Sequence, residues 1–398
     1  MVGRGSHSWS ESCLKKALII HPWFPIFGGG EYLCLCVCEI LQKQGYEVTI
    51  ASDVFQPEMA EEVYGMGSVL GKCNHIPMPE FHPKRLVPGF NLYGVERLFW
   101  ARRIKDSLKD FPAEIIIATQ PSWLKCKQTN RYDFMYNVRD LYTYPSLMLK
   151  ADPKTFLARH KRGIGLQWKA YFFVLSKLRD VMIGKPNVKR FIALSHLIYR
   201  DLVANGFPNS EMVYPPARLD VFHPRPKKRQ VVISCRIDPA KHLETFFKIA
   251  ESLPDEKFIL VGRDNQTTRL AHPNYAERLL ATKPKNVELV NSPIKNVPEY
   301  IEESLVYLYT GIEPGIGIAI MEACGAGCIP MAPHIGGGSE IVEALGAGTL
   351  FHNIPEAVNK LKNILNDPNP LPDQIRRMAL SVFGKDKFEQ RIRELLVS

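Results

Sequence analysis

The segment GIEPGIGIAIMEACGAG, residues 311–327, holds two carboxylates, Glu313 and Glu322, nine positions apart in a mostly apolar run. A carboxylate taken out of water needs a partner. Vicinal hydroxyls, as a sugar or a ribose presents, are one such partner. Between the two stand Gly315 and Gly317, ahead of a helix that begins near Ile318. The first N–H groups of such a helix, around Gly317, Ile318 and Ala319, and its positive dipole end suit phosphate oxygens. Alternatively, Glu322 merely complements the helix dipole and Glu313 is an ordinary loop residue.

Two cations, Arg236 and Lys241, lie five apart in SCRIDPAKH, residues 234–242. They can clamp a diphosphate, Arg as a planar fork and Lys as a point charge, or be unrelated solvated charges. The glycine loop FPIFGGGE (24–31), with Gly28 and Gly29, either lets backbone approach a ligand or forms a simple tight turn. It does not match G-x-G-x-x-G, and Asp53 is its only well-placed acidic residue, which disfavours a nicotinamide cofactor. A second glycine run, HIGGGSEIV (334–342), opens a further helix.

These residues need elements to carry them. KKALIIHPWF reads as a buried strand, GGGEYLCLCVCEILQKQG as a helix closed by Gly45, and YEVTIASD as the next strand. AEIIIATQP (113–121) and VKRFIALS (188–195) are further strands, the latter followed by a helix to about 205. The same grammar restarts at RQVVISCRI (229–237) and alternates strand and helix through CIPMAP and GSEIVEALG. VYPPARLDVFHPRPKKRQ lies between the halves, and its prolines stiffen a linker at 214–228. The expected class is α/β, with two Rossmann-like doubly wound domains facing a central cleft. The division is a disordered tail 1–15, an N-terminal domain 16–213, the linker, a C-terminal domain 229–380 and a C-terminal helix, 381–398, packing back on the N-terminal domain.

A chain of 398 residues suits two domains of roughly 150–200 residues each. No apolar run reaches the ~18 residues of a membrane span, and MVGRGSHSWS lacks the apolar middle of a secretory signal. The nine cysteines include no C-x-x-C pair and read as buried thiols in an intracellular protein. The net charge is +10, and residues 82–190 alone, with 22 Lys/Arg and 8 Asp/Glu, carry +14. A surface of that sign can meet nucleic acid, anionic lipid or a phosphorylated substrate.

The ordered blocks from FGGGE through IALSHLIYRDLVANGFPNSEMVYPPARLDVFHP, RIDPAK, FILVGRD, EPGIGIAIMEACGAGCIPMAPHIGGGSEIV and GTLF resemble the retaining GT-B nucleotide-sugar glycosyltransferases (group 1) with an E-x7-E motif. The resemblance covers about 16–395. By that likeness the N-terminal domain would be acceptor-binding and the C-terminal domain nucleotide-sugar-binding. It implies that Arg236 and Lys241 neutralise the donor diphosphate and that Glu322 holds the ribose. Gly317, Ile318 and Ala319 would lie at the phosphate and donor sugar. Gly28 and Gly29 would approach the diphosphate and acceptor, and Gly262 would border the base. Gly336 and Gly337 would shape a turn. Two departures stand out. Counting eight back from Glu322 reaches Pro314, so either the loop bulges and Glu313 still reaches the sugar, or that contact has moved. Where the family has a histidine near the donor sugar, FMYNVRDLYTYP (134–145) offers Arg139 and Asp140, which either line the sugar end or form a salt-bridged loop.

The implied reaction is transfer of a hexose from a nucleoside-diphosphate sugar, GDP-mannose or UDP-hexose, to a hydroxyl with retention. No cofactor and no metal are expected: protein cations face the leaving group and no D-x-D occurs. MVYPPARLD leans toward mannosyltransferases that act on lipid-linked oligosaccharides. PKTFLARHKRGIGLQWKAYFFVLSKLRD (153–180) mixes basic and aromatic residues. It suits an anionic membrane surface beside a lipid-linked saccharide acceptor, or a core-facing aromatic helix. The expected location is cytoplasmic, peripheral on the inner face of a membrane. The rivals are a catalytically weak nucleotide-sugar sensor and a nucleic-acid-binding protein, the latter without a motif to support it.

Overall fold

The computed structural model describes residues 15–22, 24, 28–78, 108, 111–119, 130–135, 188–204, 207–264, 269, 272–291, 297–312, 315–368 and 372–397. Glu313, Arg139 and Asp140 lie outside the described residues, as do residues 1–14 and the basic aromatic segment 153–180, while Lys15, expected in the tail, begins the first strand.

In the N-terminal half the strands are β1 (Lys15–Ile20), β2 (Tyr46–Ser52), β3 (Asn74–Pro77), β4 (Ile115–Ala118), β5 (Arg131–Met135), β6 (Arg190–Ala193) and β7 (Glu211–Met212). They form one sheet in the order β3-β2-β1-β4-β5-β6-β7, with every pair parallel. The helices are α1 (Gly29–Lys43), α2 (Pro57–Tyr64), α3 (Gly67–Gly71) and α4 (His196–Ala204). The C-terminal half has β8 (Lys228–Ser234), β9 (Lys257–Val261), β10 (Val287–Val290), β11 (Ser304–Leu308), β12 (Ile329–Pro333) and β13 (Thr349–Phe351). Their order is β10-β9-β8-β11-β12-β13, again all parallel. Its helices are α5 (Leu243–Glu251), α6 (Tyr275–Ala281), α7 (Val297–Glu302), α8 (Ile318–Gly325), α9 (Gly337–Leu345), α10 (Ile354–Asn366) and α11 (Pro372–Phe383), and α12 (Lys385–Val397) ends the chain. Each sheet reverses direction once, between β1 and β4 and between β8 and β11. Such switch points open the crevice where doubly wound sheets hold ligands.

Parallel strands covered on both faces read as unbroken apolar runs, and Ala17–Ile20 and Val231–Ile233 are accordingly buried. α1 buries Tyr32 through Cys38 almost all round. Its apolar residues show little helical period because a helix covered on several sides needs no polar face. The covers are β1 and β2, α3 and, on the outer side, α12. α11 packs on the C-terminal core, the chain turns at Gly384, and α12 sends Phe388, Ile392 and Leu395 into the N-terminal core. Lys385 pairs with Glu39 at 2.6 Å and Arg391 with Glu211 at 2.8 Å.

The connection after β7 belongs to both domains. Val213 lies in the N-terminal core, while Ala217, Leu219 and Phe222 lie in the C-terminal one. The seven described cysteines are free thiols, six of them buried. No described helix is long and apolar enough to cross a membrane, and no cluster of metal-ligating side chains occurs among the described residues.

Candidate active site

The loop from β11 to α8 is shaped by one aromatic ring. A Cβ on Gly317 would lie 2.9 Å from Tyr309 Cε2, one on Gly338 2.5 Å from its Cδ1, and one on Gly311 2.8 Å from its hydroxyl. Glycine at these positions lets two loops close on the ring, which no larger residue permits. A Cβ on Gly337 would sit 2.3 Å from the Gly315 carbonyl, so the turn before α9 props the loop before α8. Gly336 takes φ +92°, a left-handed value suited to glycine. The second glycine run thus supports the first.

α8 starts after Gly317 without a side-chain cap. Its opening N–H groups, including those of Ile318 and Ala319, have no partner within the helix. The N-terminal glycine loop reaches this point: a Cβ on Gly29 would lie 2.3 Å from Ile318 Cδ1. The two domains therefore meet at the two sheets' switch points. Gly28 donates its N–H to Glu31 Oε2 at 2.8 Å, and its carbonyl accepts from Tyr64 Oη at 2.8 Å.

Arg236 is exposed and Lys241 half-buried. Lys241 ends a short turn, Pro239–Lys241, whose first amides are capped by Asp238: Ala240 N donates to Oδ1 at 3.0 Å. The Lys241 carbonyl accepts from Thr310 Oγ1 at 2.7 Å, which fastens the cationic loop to the end of β11. Burial pushes the neighbouring Cys235 thiol up to about 12, against the opposing pull of Lys241 and Arg236. Gly262 touches the same loop from β9, where a Cβ would fall 1.9 Å from the Cys235 carbonyl.

Glu322 sits on α8 one helical turn inward, its side chain 12% exposed. Its Oε1 accepts from Arg218 Nε at 3.0 Å. Burial raises its pKa, and the charge and hydrogen bonds of Arg218 pull it partly back. Glu340, on α9, reaches across the domains to accept the amides of His196 at 2.6 Å and Leu197 at 3.4 Å, the start of α4. Under the glycine loop, His21 is wholly buried, with Nδ1 2.8 Å from Thr119 Oγ1 and Nε2 3.9 Å from Glu31 Oε1. Burial alone would lower its pKa, but Cys34 and Glu31 outweigh burial and raise it to about 9.

The structure thus brings Gly28, Gly29, Gly317, Ile318, Ala319 and Glu322 to one seam, with the Arg236–Lys241 loop and Gly262 on the adjoining strand ends. Arg218, Tyr309 and Glu340 were missed in the sequence. Arg218 had one available signal: it is the single cation between Tyr214 and His223, within a proline-stiffened linker.

Residues 219–381 match the family model described as Glycosyl transferases group 1. A comparison with curated proteins gives no match. Among solved structures, the chain is similar to sucrose-phosphate synthase from Thermosynechococcus elongatus, with a TM-score of 0.65 and 15% identity over 96% of this chain and 98% of that one. HepE of Anabaena, in complex with UDP and glucose, gives 0.64 and 15% over 96% and 100%. WaaG, a glycosyltransferase involved in lipopolysaccharide biosynthesis, gives 0.64 and 14% over 96% and 99%. At these identities the likeness establishes the fold, two Rossmann-like domains in the GT-B arrangement.

Proposed function

We propose, from a chain whose residues 219–381 match the group 1 glycosyltransferases and 96% of which is covered by GT-B structural neighbours, a retaining, metal-independent hexosyltransferase that uses a nucleoside-diphosphate sugar. One observation carries the reading. The glycine loop of the N-terminal half is seated on the α8 N-terminus, through Gly29 and Ile318, with Glu322 on the same helix. A diphosphate at that seam would meet the amides around Ile318 and Ala319, with Arg236 and Lys241 on the adjoining strand end. Glu322 would accept from the ribose hydroxyls, and Glu313 would reach the sugar. The base would lie by Gly262.

The chemistry required is charge stabilisation. Negative charge grows on the leaving diphosphate, and fixed donors in a water-poor seam answer it. Removing one such donor typically costs about 10²–10³ in kcat. Solved neighbours hold UDP with glucose, and UDP-glucose, which supports UDP-hexose as donor beside GDP-mannose. A lipid-linked saccharide at a membrane surface is the acceptor class we favour. Incubation with a panel of UDP-, GDP- and ADP-sugars tests the proposal. Release of nucleoside diphosphate on adding a saccharide acceptor is expected. Binding without turnover would instead make the protein a nucleotide-sugar sensor, and no binding would end the reading. Glu313→Ala should lower turnover; unchanged turnover would mean that another group holds the sugar.

A further inference from the structure

Arg218 stands in the connection between the domains and touches two elements at once, α8 of one domain and α2 of the other. Its Nε donates to Glu322 Oε1 on α8 at 3.0 Å. Its Nη1 donates to the Val63 carbonyl on α2 at 3.2 Å. Its guanidinium lies over the Tyr64 ring, 5.3 Å from the centroid. Tyr64 in turn donates its hydroxyl to the Gly28 carbonyl at 2.8 Å. A continuous path therefore runs from the carboxylate of α8, through the linker, to the glycine loop of the opposite domain.

A plain structural salt bridge would hold α8 in place, yet α8 is held without it. Arg376 Nη1 donates to the carbonyls of Gly325 and Phe222. Lys227 Nζ donates to the Ala326 carbonyl at 2.7 Å. Leu219 packs so closely on Gly325 that a Cβ there would lie 2.8 Å from its Cδ2. What Arg218 adds, among the described residues, is the direction of the Glu322 carboxylate and its tie to α2. We infer that Arg218 is a positioning residue: it aims Glu322 at the donor's ribose and couples that grip to the seating of the N-terminal glycine loop. The inference rests on the nucleotide-sugar reading of the site.

The groups facing Glu322 are Arg218 from the linker, Tyr64 from α2 and Tyr307 from β11. Burial raises the pKa of both tyrosines, so that, among the described residues, Arg218 is the charge that supports the ionised carboxylate. Without its charge, Glu322 takes up a proton at a higher pH, and a protonated carboxyl has lost half its acceptor capacity.

The test is calorimetric titration of UDP and of GDP into the full chain, from pH 5 to 8, with melting temperatures recorded alongside. Arg218→Met should weaken the nucleotide that the parent binds by roughly 5–150-fold, the usual range of coupling between sites. It should also move the acid limb of affinity upward in pH. Arg218→Lys should restore the pH profile and only part of the affinity. In a double-mutant cycle with Glu322→Gln the losses should be strongly non-additive. Tyr64→Leu leaves the ion pair intact and removes the route to Gly28, so it should weaken binding without moving the acid limb. It also serves if Arg218→Met fails to fold. Parent-like affinity and pH profile in Arg218→Met, additive losses in the cycle, or parent-like affinity in Tyr64→Leu would overturn the inference alone. A parent chain that binds neither nucleotide would overturn the reading of the site and this inference with it.

Discussion

Gly262 carries no chemistry of its own, yet the cationic loop depends on it. With a Cβ there 1.9 Å from the Cys235 carbonyl, the two strand-end loops could not meet. Overpacking of this kind costs about 1–3 kcal/mol. Gly262→Ala should lower denaturant stability by that amount, and nucleotide binding should fall further, because the strain lands on the segment that presents Arg236 and Lys241. Chemical denaturation beside titration separates the two losses. His21 gives a second residue-scale expectation. Its main partner is Cys34, and the thiol's pKa falls to about 5 as that of His21 rises to about 9. Between pH 6.5 and 9 the proton that His21 keeps favours the folded state less as pH rises, while the proton that Cys34 has released favours it more, so the two oppose each other. Melting temperature should stay nearly flat across that window; a steep fall would discard the pairing. The charged and glycine residues that we propose for the donor side stand out in the sequence because their types announce chemistry at a strand end. Arg218 does not, because its partner Glu322 is 104 positions away and only folding brings them together.

The elements show where local pattern suffices and where it does not. The strands β1, β2, β4, β6 and β8 through β12 and the helix after each glycine loop follow from short apolar runs and glycine brackets. α2, α3 and β3, between residues 57 and 77, gave no comparable signal: they are short, and several of their residues are exposed. The run LCLCVC in α1 shows no helical face, since that face is supplied by a helix from the far end of the chain. Contacts between elements of different domains are likewise hidden from pattern. Glu340 is one: it starts α9 and caps α4 in the opposite domain. A carboxylate accepting amides at a helix N-terminus is a charge-assisted bond favoured by the dipole. Glu340→Gln keeps the shape and loses the charge. The expected cost is about 1.5–3 kcal/mol, the range for hydrogen bonds to charged groups. Urea titration of the two proteins measures it, with α9 itself undisturbed because its own start is set by Gly336 and Gly337.

At the scale of the whole molecule, the chain crosses between domains twice, once after β7 and once at Gly384. The second crossing makes α12 part of a core built far earlier in the chain; its Glu389 accepts from Lys43, 346 positions away. Phe388 is 3% exposed and lies 6.5 Å from the Phe134 ring, while Ile392 and Leu395 extend the same contact along the helix. The polar flank adds Lys385 on Glu39 and Arg391 on Glu211, and Glu389 on Lys43 at 3.4 Å. Partly exposed pairs contribute little each, so the apolar residues carry the docking. Phe388→Ala removes a buried ring from that contact, and such changes cost about 3–5 kcal/mol. The loss falls on the N-terminal domain, because α11 stays packed on the C-terminal core through Ile375, Ala379 and Phe383. Calorimetry should show one transition for the parent and, for the variant, a lower-temperature step for the N-terminal domain and an upper step near the parent value. Tying the domains together at both crossings also keeps Gly29 over Ile318, so the same variant should bind nucleotide more weakly although no residue of the proposed donor site has changed. A single transition shifted as a whole, with unaltered nucleotide affinity, would mean that α12 stabilises the molecule without setting the seam.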